Sequence, residues 1–489
     1  MFGKIVFVCL LFQLTHQNLI NVFGPGLHPE QIVMPARYFY VNLTFVDENS
    51  YSPDLHKLLA IEITGKSKYS SHCRTWINKL DRKDGSFIVR YKIYETCYDF
   101  SINMYFKSKH IQGSPFSFRG PVHPEQCDCP DKDILAWFND YGCTNTYKQI
   151  EKDLQLFSNV DMKEAVNKII QKYHQPESTS FCHYVIKDNQ IYRDCYGKHI
   201  GFNMFSDNIL LSMTRKVTLP DMELVINLGD WPLVHQRSEP LPVFSWCGSN
   251  ETIDIVMPTY DLTESTLENM GRVTLDIMSV QGGVERRWAQ REGRAVWRGR
   301  DSRAERLKLV DIARANPDLF NVSLTNFFFF REKEAEYGPK QPHISFFKFF
   351  DYKYQINVDG TVAAYRMPYL LAGGGLILKQ DSPYYEHFYS QIEPWVHFVP
   401  VKRDLSDLTD KIHWALEHDE DAHKIAKNAR NFANQYLMPK DIICYHAALF
   451  SEWSKRISSE VIVKDGMTHV PQPPFKCDCQ HQKLNHEEL

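Results

Sequence analysis

The alternation of apolar and polar residues divides the chain into a β-rich amino-terminal part and a longer part with helices. Between residues 22 and 120, short runs such as 86–91 and 102–106 alternate in polarity. Turn residues recur about every ten positions between these runs. This spacing predicts an immunoglobulin-like β-sandwich of about seven strands.

From residue 151 onward, helical periodicities alternate with short apolar strands, as in an α/β fold. Two apolar stripes with helical spacing lie at 405–416 and 422–433. About 310 residues of this pattern exceed one typical sheet, so we expect two lobes. The last 25 residues, which include Pro and His, are predicted to lack regular structure. The predicted divisions are a signal peptide (1–18), a sandwich (22–120), a cysteine-containing connector (121–150), two lobes (151–290 and 291–462) and a tail (463–489).

The two ends of the chain predict the compartment. Lys4 precedes the apolar run 5–14, which is too short to span a bilayer but has the length of a signal-peptide core. The alternative for this run is a buried amino-terminal strand. The chain stops in a variant of the H-D-E-L retention signal, formed by His486, Glu487, Glu488 and Leu489. We therefore expect a protein of the endoplasmic reticulum lumen, retained by KDEL-receptor-type machinery, with no membrane span.

Composition narrows the class of function. The chain has 489 residues, of which 43% are hydrophobic and 24% charged, as in an ordinary globular protein. Its net charge of −4 provides no basic field for nucleic acid. The 12 cysteines are many for a cytosolic protein and favour an oxidising compartment. Three sequons would be available for N-glycosylation there, at Asn42, Asn250 and Asn321.

The first candidate for chemistry is an aspartate at the end of an apolar strand. Residues 224–228 have the pattern of a buried strand, and Gly229 and Asp230 follow directly. Ligands of open α/β sheets bind beyond the carboxyl ends of strands, so Asp230 is a candidate general base. The alternative is an aspartate that serves only a turn beside glycine.

The second candidate is a basic segment in an otherwise acidic chain. Residues 286–306 contain eight arginines and three acids, a local charge of +5. Arg298 follows an apolar strand directly, and a helix is predicted from Arg303 to about Ala315. Arginine binds phosphate bidentately and keeps its proton, so this unit suits a diphosphate. The alternative, a solvated basic helix face, would explain Arg303 and Arg306 better than Arg298.

The third candidate is a βαβ unit. It consists of a strand at 354–358, a helix from Thr361 to about Leu371 and a second strand at 376–378. The free amides at the helix start would face an anion, and Arg366 lies one turn into the helix. The alternative is a structural crossover with a surface arginine.

Sequence motifs for several other chemistries are missing. The chain has no H-E-x-x-H, no G-x-x-x-x-G-K-[ST], no G-x-S-x-G and no C-x-x-C. The C-x-C pairs at 127–129 and 477–479 suit disulfides better than zinc. The D-x-D matches at 131–133 and 419–421 follow no strand and are interpreted as solvated or capping charges. We therefore expect no metal site.

Several longer motifs resemble known families. The sandwich resembles a filamin-type repeat in its segments GPGL (24–27), DGSF (84–87) and HIQGSPF (110–116). The remainder resembles glycosyltransferase family 90, and in particular its KDEL-motif-containing members, in NLGDWP (227–232), FSWCGS (244–249), AVWRGRDS (295–302), DGTVAAYR (359–366), YYEHFY (384–389) and PWVHFVPVK (394–402).

The second resemblance implies a GT-B-type fold, in which two Rossmann-like lobes enclose one cleft. It also implies transfer of glucose from UDP-glucose to a Ser hydroxyl of folded epidermal-growth-factor-like (EGF-like) repeats, with inversion and without a metal or other cofactor. Two alternatives remain: transfer of xylose from UDP-xylose, and an inactive, retained binding protein that uses the filamin-type module. The intact Asp230, Arg298 and Arg366 argue against the inactive protein.

The resemblance also implies residue roles. Asp230 matches the catalytic base of the family, and Trp231, Tyr260 and Asp261 lie near the acceptor groove. Residues that match the donor site are Arg298, Ser302, Val362, Ala363, Ala364, Tyr365 and Arg366. The cysteines are expected to pair as Cys73–Cys97 and Cys182–Cys195, with Cys127 and Cys129 joined to Cys143 and Cys444 in either order. Cys247 is expected to be free and buried.

Overall fold

A computed structural model describes residues 19–479, apart from 49, 145, 176, 178, 179, 268–274 and 478. The predicted signal peptide (1–18) and the predicted retention signal (His486 to Leu489) lie outside the described residues. In the part of the chain that the structure describes, no helix is long and apolar enough to cross a bilayer.

The amino-terminal part is a sandwich of two antiparallel sheets. Its elements are β1 (Ile20–Phe23), β2 (Arg37–Leu43), α1 (Leu55–Leu58), β3 (Leu59–Ser67), β4 (Thr75–Asp81), β5 (Ser86–Ile93), β6 (Cys97–Phe106), β7 (Lys109–His110) and β8 (Phe116–Phe118). One sheet has the order β1-β2-β5-β4, and in the other β6 pairs with β3, β7 and β8. Phe39, Phe87 and Phe100 are fully buried in the shared core. The sandwich therefore has eight strands where about seven were expected, because the short β7 and β8 both pair with β6.

The next part contains a mixed six-stranded sheet. Its elements are α2 (Ile134–Tyr141), α3 (Lys148–Leu154), α4 (Met162–Tyr173), β9 (Phe181–Lys187), β10 (Gln190–Tyr196), α5 (Asn203–Lys216), β11 (Met222–Asn227), β12 (Val243–Ser245), β13 (Gly248–Ser249), β14 (Ile255–Val256), α6 (Tyr260–Leu267) and α7 (Ile277–Gly283). The sheet order is β14-β12-β11-β9-β10-β21, where β21 is Thr468–Val470. Strands β11, β12 and β14 run parallel, whereas β9, β10 and β21 add antiparallel pairs.

The last part contains a parallel five-stranded sheet. Its elements are β15 (Glu292–Arg300), α8 (Ala304–Ala315), β16 (Phe320–Asn326), α9 (Glu334–Tyr337), β17 (Tyr352–Asn357), α10 (Met367–Ala372), β18 (Leu376–Gln380), β19 (Tyr384–Tyr385), β20 (Val399–Val401), α11 (Leu408–Glu417), α12 (Asp419–Tyr436) and α13 (Pro439–Ser454). The sheet order is β16-β15-β17-β18-β20. The short pair β13–β19 joins the two parts. The predicted apolar stripe at 422–433 is confirmed, since it is the buried face of α12.

One predicted helix is much shorter in the structure. The helix expected from Thr361 to about Leu371 begins only at Met367, in α10. Residues 361–366 form an irregular turn in which Val362, Ala363 and Ala364 are buried. The helical pattern was misleading because these small apolar residues are buried by tertiary contacts rather than by a helix face.

The described residues contain five disulfides, two of which lie within a single part. The expected pairs Cys73–Cys97 and Cys182–Cys195 are present, and Cys247 is free and buried. The expected pairing of Cys127 and Cys129 with Cys143 and Cys444 was wrong, because Cys143 pairs with Cys444 and the connector pairs with the tail, as Cys127–Cys477 and Cys129–Cys479. The tail was also expected to be irregular, yet β21 within it pairs with β10. Five disulfides agree with an oxidising compartment.

The sandwich docks on the α/β part through α7. Strands β4 and β5 contact this helix. Arg90 of β5 forms an ion pair with Asp276, at 3.0 Å, and donates to Ser279 Oγ at 3.1 Å. Asp276 is also the amino-terminal cap of α7, through the amide of Ser279. At the other end of the helix, a Cβ on Gly282 would come within 2.6 Å of Leu80. The glycine therefore permits close contact between the two units.

Candidate active site

The carboxyl ends of β11, β15 and β17 meet at one cleft of about 480 Å³. Parallel strands present their following loops at such an edge, where α/β proteins bind ligands. The predicted site residues that line this cleft are Asp230, Tyr260, Asp261, Arg298, Ser302, Val362, Ala363, Ala364, Tyr365 and Arg366. Trp231 does not line the cleft, and its side chain is 52% exposed beside it.

Asp230 lies in a turn that a buried asparagine holds in place. Asn227 ends β11 and is fully buried. Its side-chain nitrogen donates to Trp231 O at 2.7 Å, and its Oδ1 accepts from the amide of Gly229 at 2.9 Å. Thr361 Oγ1, from the opposite sheet, donates to Asp230 Oδ2 at 3.3 Å. The carboxylate is thus half-buried and fixed at the boundary between the two sheets.

Arg298 and Arg366 lie against each other on the other wall of the cleft. Arg298 donates through Nη1 to Asn321 O at 2.7 Å and through Nη2 to Asn321 Oδ1 at 2.6 Å. Its buried Nε has no hydrogen-bond partner among the described residues. Arg366 donates through Nη1 to Arg298 O at 2.8 Å, and its guanidinium lies 5.9 Å from the ring centre of Trp297. Neither arginine has a carboxylate partner in the described part of the chain, so their charge is free for an anion.

Two further arginines hold the loop after β17 in place. Arg303 donates to Gly360 O at 2.6 Å and to Thr361 O at 2.8 Å. Arg306 is buried and donates to Asp359 O at 2.7 Å, with further bonds to Val358 O and Arg300 O. Burial, together with the charge of Arg366, lowers the pKa of Arg306 to about 9. The interpretation of Arg303 and Arg306 as a solvated helix face was therefore wrong.

The turn at 361–366 still provides donors, although it is not a helix start. Within the described residues, the amides of Val362, Ala363 and Ala364 donate to no protein acceptor. Free backbone amides in an irregular turn form concave sites for anions. The arrangement adds hydrogen-bond donors to the positive charge of Arg298 and Arg366.

The opposite side of the cleft is aromatic and weakly acidic. Tyr260, the first residue of α6, packs its ring edge-on against Tyr365 at 5.6 Å. Burial and the carboxylates of Asp230 and Asp261 raise the pKa of the Tyr260 hydroxyl, which therefore keeps its proton. Burial likewise raises the pKa of Asp261, and Tyr369 Oη donates to its backbone oxygen at 3.1 Å.

The sequence reasoning missed several residues of the cleft wall. Thr361 belongs to the motif at 359–366 and could have been assigned from its position beside Asp359 and Gly360. Others come from the segment before β17, which has no clear polarity pattern, namely His343, Ile344, Phe346 and Phe349, the last two in a 3₁₀ helix. Only their place in the fold brings them to the cleft.

Behind the cleft lies a buried acid that has no charged partner. Glu386 is fully buried, and both side-chain oxygens lack a hydrogen bond among the described residues. Burial, with the nearby charge of Asp261, raises its pKa to about 8, so it is mainly neutral at pH 7. Cys247 is also buried, and its thiol donates to Asp230 O at 3.5 Å. Burial raises the thiol pKa, so it stays protonated.

The three sequon asparagines differ in accessibility. Asn250 is exposed, whereas Asn42 is half-buried in β2. Asn321 lies in β16, where its side chain bonds both Arg298 and the hydroxyl of Tyr352. The side-chain nitrogen of Asn321 is therefore engaged, and Asn250 is the exposed one of the three asparagines.

A possible metal-binding group lies away from the cleft. In the described residues, one cluster of three potential ligands occurs, formed by His123, Cys127 and Cys129. Both cysteines are in disulfides and cannot supply thiolates. The D-x-D aspartates also have other partners, since Asp133 caps α2 and Asp419 binds Lys353. These contacts agree with their interpretation as capping or solvated charges.

Comparison with known proteins identifies the family. The model of Glycosyl transferase family 90 matches residues 139–488. The chain belongs to this family. The model of the Filamin/ABP280 repeat matches residues 15–117, so the resemblance of the sandwich to a filamin repeat is confirmed.

The matches to curated relatives extend over almost the whole of this chain. Protein O-glucosyltransferase 2 of Danio rerio is 49% identical over 473 residues, which are 95% of this chain and 93% of the relative. Protein O-glucosyltransferase 3 of Homo sapiens is 45% identical, with 96% of this chain and 94% of the relative covered. A solved structure of Anabaena Alr3699/HepE in complex with UDP-glucose is 11% identical over 42% of this chain and 62% of that chain, with a TM-score of 0.27, which is too weak for any argument.

Proposed function

We propose that this chain is a protein O-glucosyltransferase that transfers glucose from UDP-glucose to a Ser hydroxyl of folded EGF-like repeats. The observation that carries the proposal is the pairing, in one cleft, of a fixed carboxylate with two uncompensated arginines, Asp230 opposite Arg298 and Arg366. Family membership and the names of the relatives with 49% and 45% identity support the same reaction.

The chemistry requires a base on one side of the sugar. A Ser hydroxyl is a weak nucleophile, so a carboxylate must take its proton while the bond to C1 of glucose forms. Asp230 is the proposed base. Attack from the side of Asp230 breaks the bond from C1 to the UDP oxygen on the opposite face, which inverts the anomeric centre.

The departing UDP needs positive charge and hydrogen-bond donors. Arg298 and Arg366 are proposed to bind its diphosphate, with the free amides of the turn 362–364 and the hydroxyl of Ser302 beside them. Preorganised donors of this kind stabilise developing negative charge without movement during the reaction. Because these groups suffice for the leaving group, we propose a reaction that needs no metal.

The acceptor is proposed to lie along Tyr260 and Asp261, with the exposed Trp231 at the rim. The two sheets are proposed to be the lobes of a GT-B-type enzyme, divided near residue 290, with the connector at 121–150. Five disulfides and the predicted terminal signals support a place in the endoplasmic reticulum lumen.

The test measures glucose transfer and UDP release with a folded EGF-like repeat as acceptor. Asp230→Asn should lower the rate by about 10²–10⁴-fold, the contribution of a general base, while the unfolding midpoint stays unchanged. Asp318→Asn, at an exposed aspartate before β16, is the matched control and should transfer normally. Near-normal transfer by Asp230→Asn would exclude Asp230 as the base.

The donor and the metal are tested in the same assay. UDP-xylose replaces UDP-glucose in one arm, because a pocket for glucose often admits a sugar that lacks one CH₂OH group. A chelator is added in another arm, and full activity there supports the metal-free reaction. No transfer with either donor would favour a binding protein instead.

A further inference from the structure

A second basic cavity lies where the sandwich meets the α/β part. It has a volume of about 30 Å³ and is separate from the cleft of about 480 Å³. Seven arginines and lysines line it, against a single glutamate, Glu48. They come from the turn between β4 and β5, from the segment after α7 and from α12.

Most cations in this wall have a partner. Arg291 donates to Gly374 O at 2.7 Å and to Gly373 O at 3.3 Å. Lys83 donates to Val284 O at 2.8 Å, and Arg430 forms an ion pair with Asp84 at 2.6 Å. Arg286 also forms ion pairs with Glu292 and Asp351. The partners of Arg291 and Lys83 are backbone carbonyls, which satisfy the donors but do not neutralise their charge, so the wall keeps a positive excess.

Arg82 is the exception. Arg82 forms no ion pair among the described residues, and its guanidinium lies 5.8 Å from the ring centre of Tyr40. Its Nε is inaccessible to solvent and has no hydrogen-bond partner in the described part of the chain, and the same is true of Arg430 Nε. Burial and the charge of Arg430 lower the pKa of Arg82 to about 10. Two guanidinium groups thus approach each other with unused donors.

We propose that this cavity binds a small tetrahedral oxyanion of the phosphate class, held between Arg82 of the sandwich and Arg430 of α12. Such an anion would compensate the positive charge of the wall that Glu48 and the Arg430–Asp84 ion pair leave uncompensated. The cavity is too small for a nucleotide, which distinguishes it from the cleft. The bound anion would join the filamin-type module to the family 90 domain.

Inorganic phosphate is the appropriate probe. Gln281 lines the same cavity, and its Oε1 is a buried acceptor without a donor among the described residues. Hydrogen phosphate carries an O–H that can donate to this oxygen, in addition to accepting from arginine.

The experiment uses the mature full-length chain saturated with UDP, so that phosphate does not occupy the cleft. Phosphate is titrated calorimetrically, and the unfolding midpoint is recorded in phosphate and in chloride of equal ionic strength. We expect phosphate to bind and to raise the midpoint above that in chloride. Repeating the titration in an Arg366→Gln background removes any remaining binding in the cleft.

Three variants test the assignment. Arg82→Gln should weaken phosphate binding about tenfold or more, yet in chloride it should be as stable as the wild type or more stable, because repulsion from Arg430 is relieved. Lys427→Gln, at a side chain that is 51% exposed, tests the same wall at a position where folding is not in question, and it should weaken binding by a smaller factor. Arg74→Gln, at an exposed arginine of the same sandwich, should respond to phosphate as the wild type does.

Three results would overturn the proposal. The first is a wild type that shows no phosphate response beyond that of chloride. The second is a full phosphate response in both Arg82→Gln and Lys427→Gln. Destabilisation of Arg82→Gln in chloride would likewise contradict it, because the arginine would then be a structural residue rather than part of an anion site.

Discussion

The cleft and the domain junction are both lined by arginines, yet they handle charge in opposite ways. In the cleft, Arg298 and Arg366 donate to acceptors of their own sheet, and the buried acid behind them, Glu386, is mainly neutral. At the junction, burial would raise the pKa of Asp84, but Arg430 and Arg82 lower it overall, so this acid is ionised. The cleft therefore keeps its positive field for a ligand, whereas the junction uses part of its field to join two modules.

Both regions draw on one stretch of sequence. The segment 286–306 has a local charge of +5. Its first arginines, Arg286, Arg287 and Arg291, line the junction cavity, and Arg298, Arg300 and Arg306 line the cleft. Strand β15 carries the chain from one region to the other, so a charge cluster in sequence need not be one site in space.

The largest expected effect separates the two regions by chemistry. Arg366→Gln removes a donor for the departing diphosphate and should lower kcat by about 10²–10³-fold, equivalent to about 2.7–4 kcal/mol in the transition state. Arg291→Gln, its counterpart at the junction, should leave kcat within about twofold, since it lies outside the cleft wall. Steady-state kinetics with UDP-glucose compares the two. Equal losses of kcat in Arg366→Gln and Arg291→Gln would contradict the assignment of the reaction to the cleft alone.

The next effect concerns stability rather than chemistry. Arg306→Met removes the donor for the carbonyls of Asp359, Val358 and Arg300, which then lie near the cleft without partners. We expect the free energy of unfolding to fall by about 3 kcal/mol, measured by urea denaturation. Arg303→Met, which loses two bonds at a less buried position, should cost less. A larger loss of unfolding free energy in Arg303→Met than in Arg306→Met would contradict the stronger role given to Arg306 in holding this loop.

A third variant pair tests how firmly the modules are docked. The ion pair Arg90–Asp276 is only 11% and 14% exposed, so its partners should be coupled by about 2 kcal/mol in a double-mutant cycle on urea unfolding. Lys66–Asp99, which lies entirely within the sandwich and is 64% and 57% exposed, is the control and should couple by less than about 1 kcal/mol. Equal coupling energies for the two ion pairs would mean that Arg90–Asp276 stabilises the docked modules no more than an exposed surface ion pair does.

The sequence predicts the site better than it predicts the connections. Asp230, Arg298 and Arg366 could be assigned because each belongs to a motif of the family, and the structure brings all three to one cleft. The prediction that Arg298 follows a strand was wrong, since it lies within β15. The pairing of Cys127 and Cys129 with the tail could not be predicted, because cysteines separated by 350 residues meet only through the fold. The helix at 361 failed for a related reason: tertiary burial of small residues imitates helical periodicity.

The last expected effect is a pH dependence that contrasts the two acids. The pKa of Glu386 in the folded protein, about 8, is above its ordinary value of 4.5, so the unfolded chain releases this proton first. Stability should therefore fall as the pH rises from 4.5 to about 8, by up to about 1.4 kcal/mol per pH unit from this group. Glu386→Gln cannot ionise, so its stability relative to the wild type should rise between pH 6 and pH 8 in urea unfolding. Asp84→Asn should show no such change, because the lowered pKa of Asp84 leaves it ionised across this range in both states. A parallel response of Glu386→Gln and wild type would mean that Glu386 is charged in the fold, and the electrostatic contrast between the cleft and the junction would then disappear.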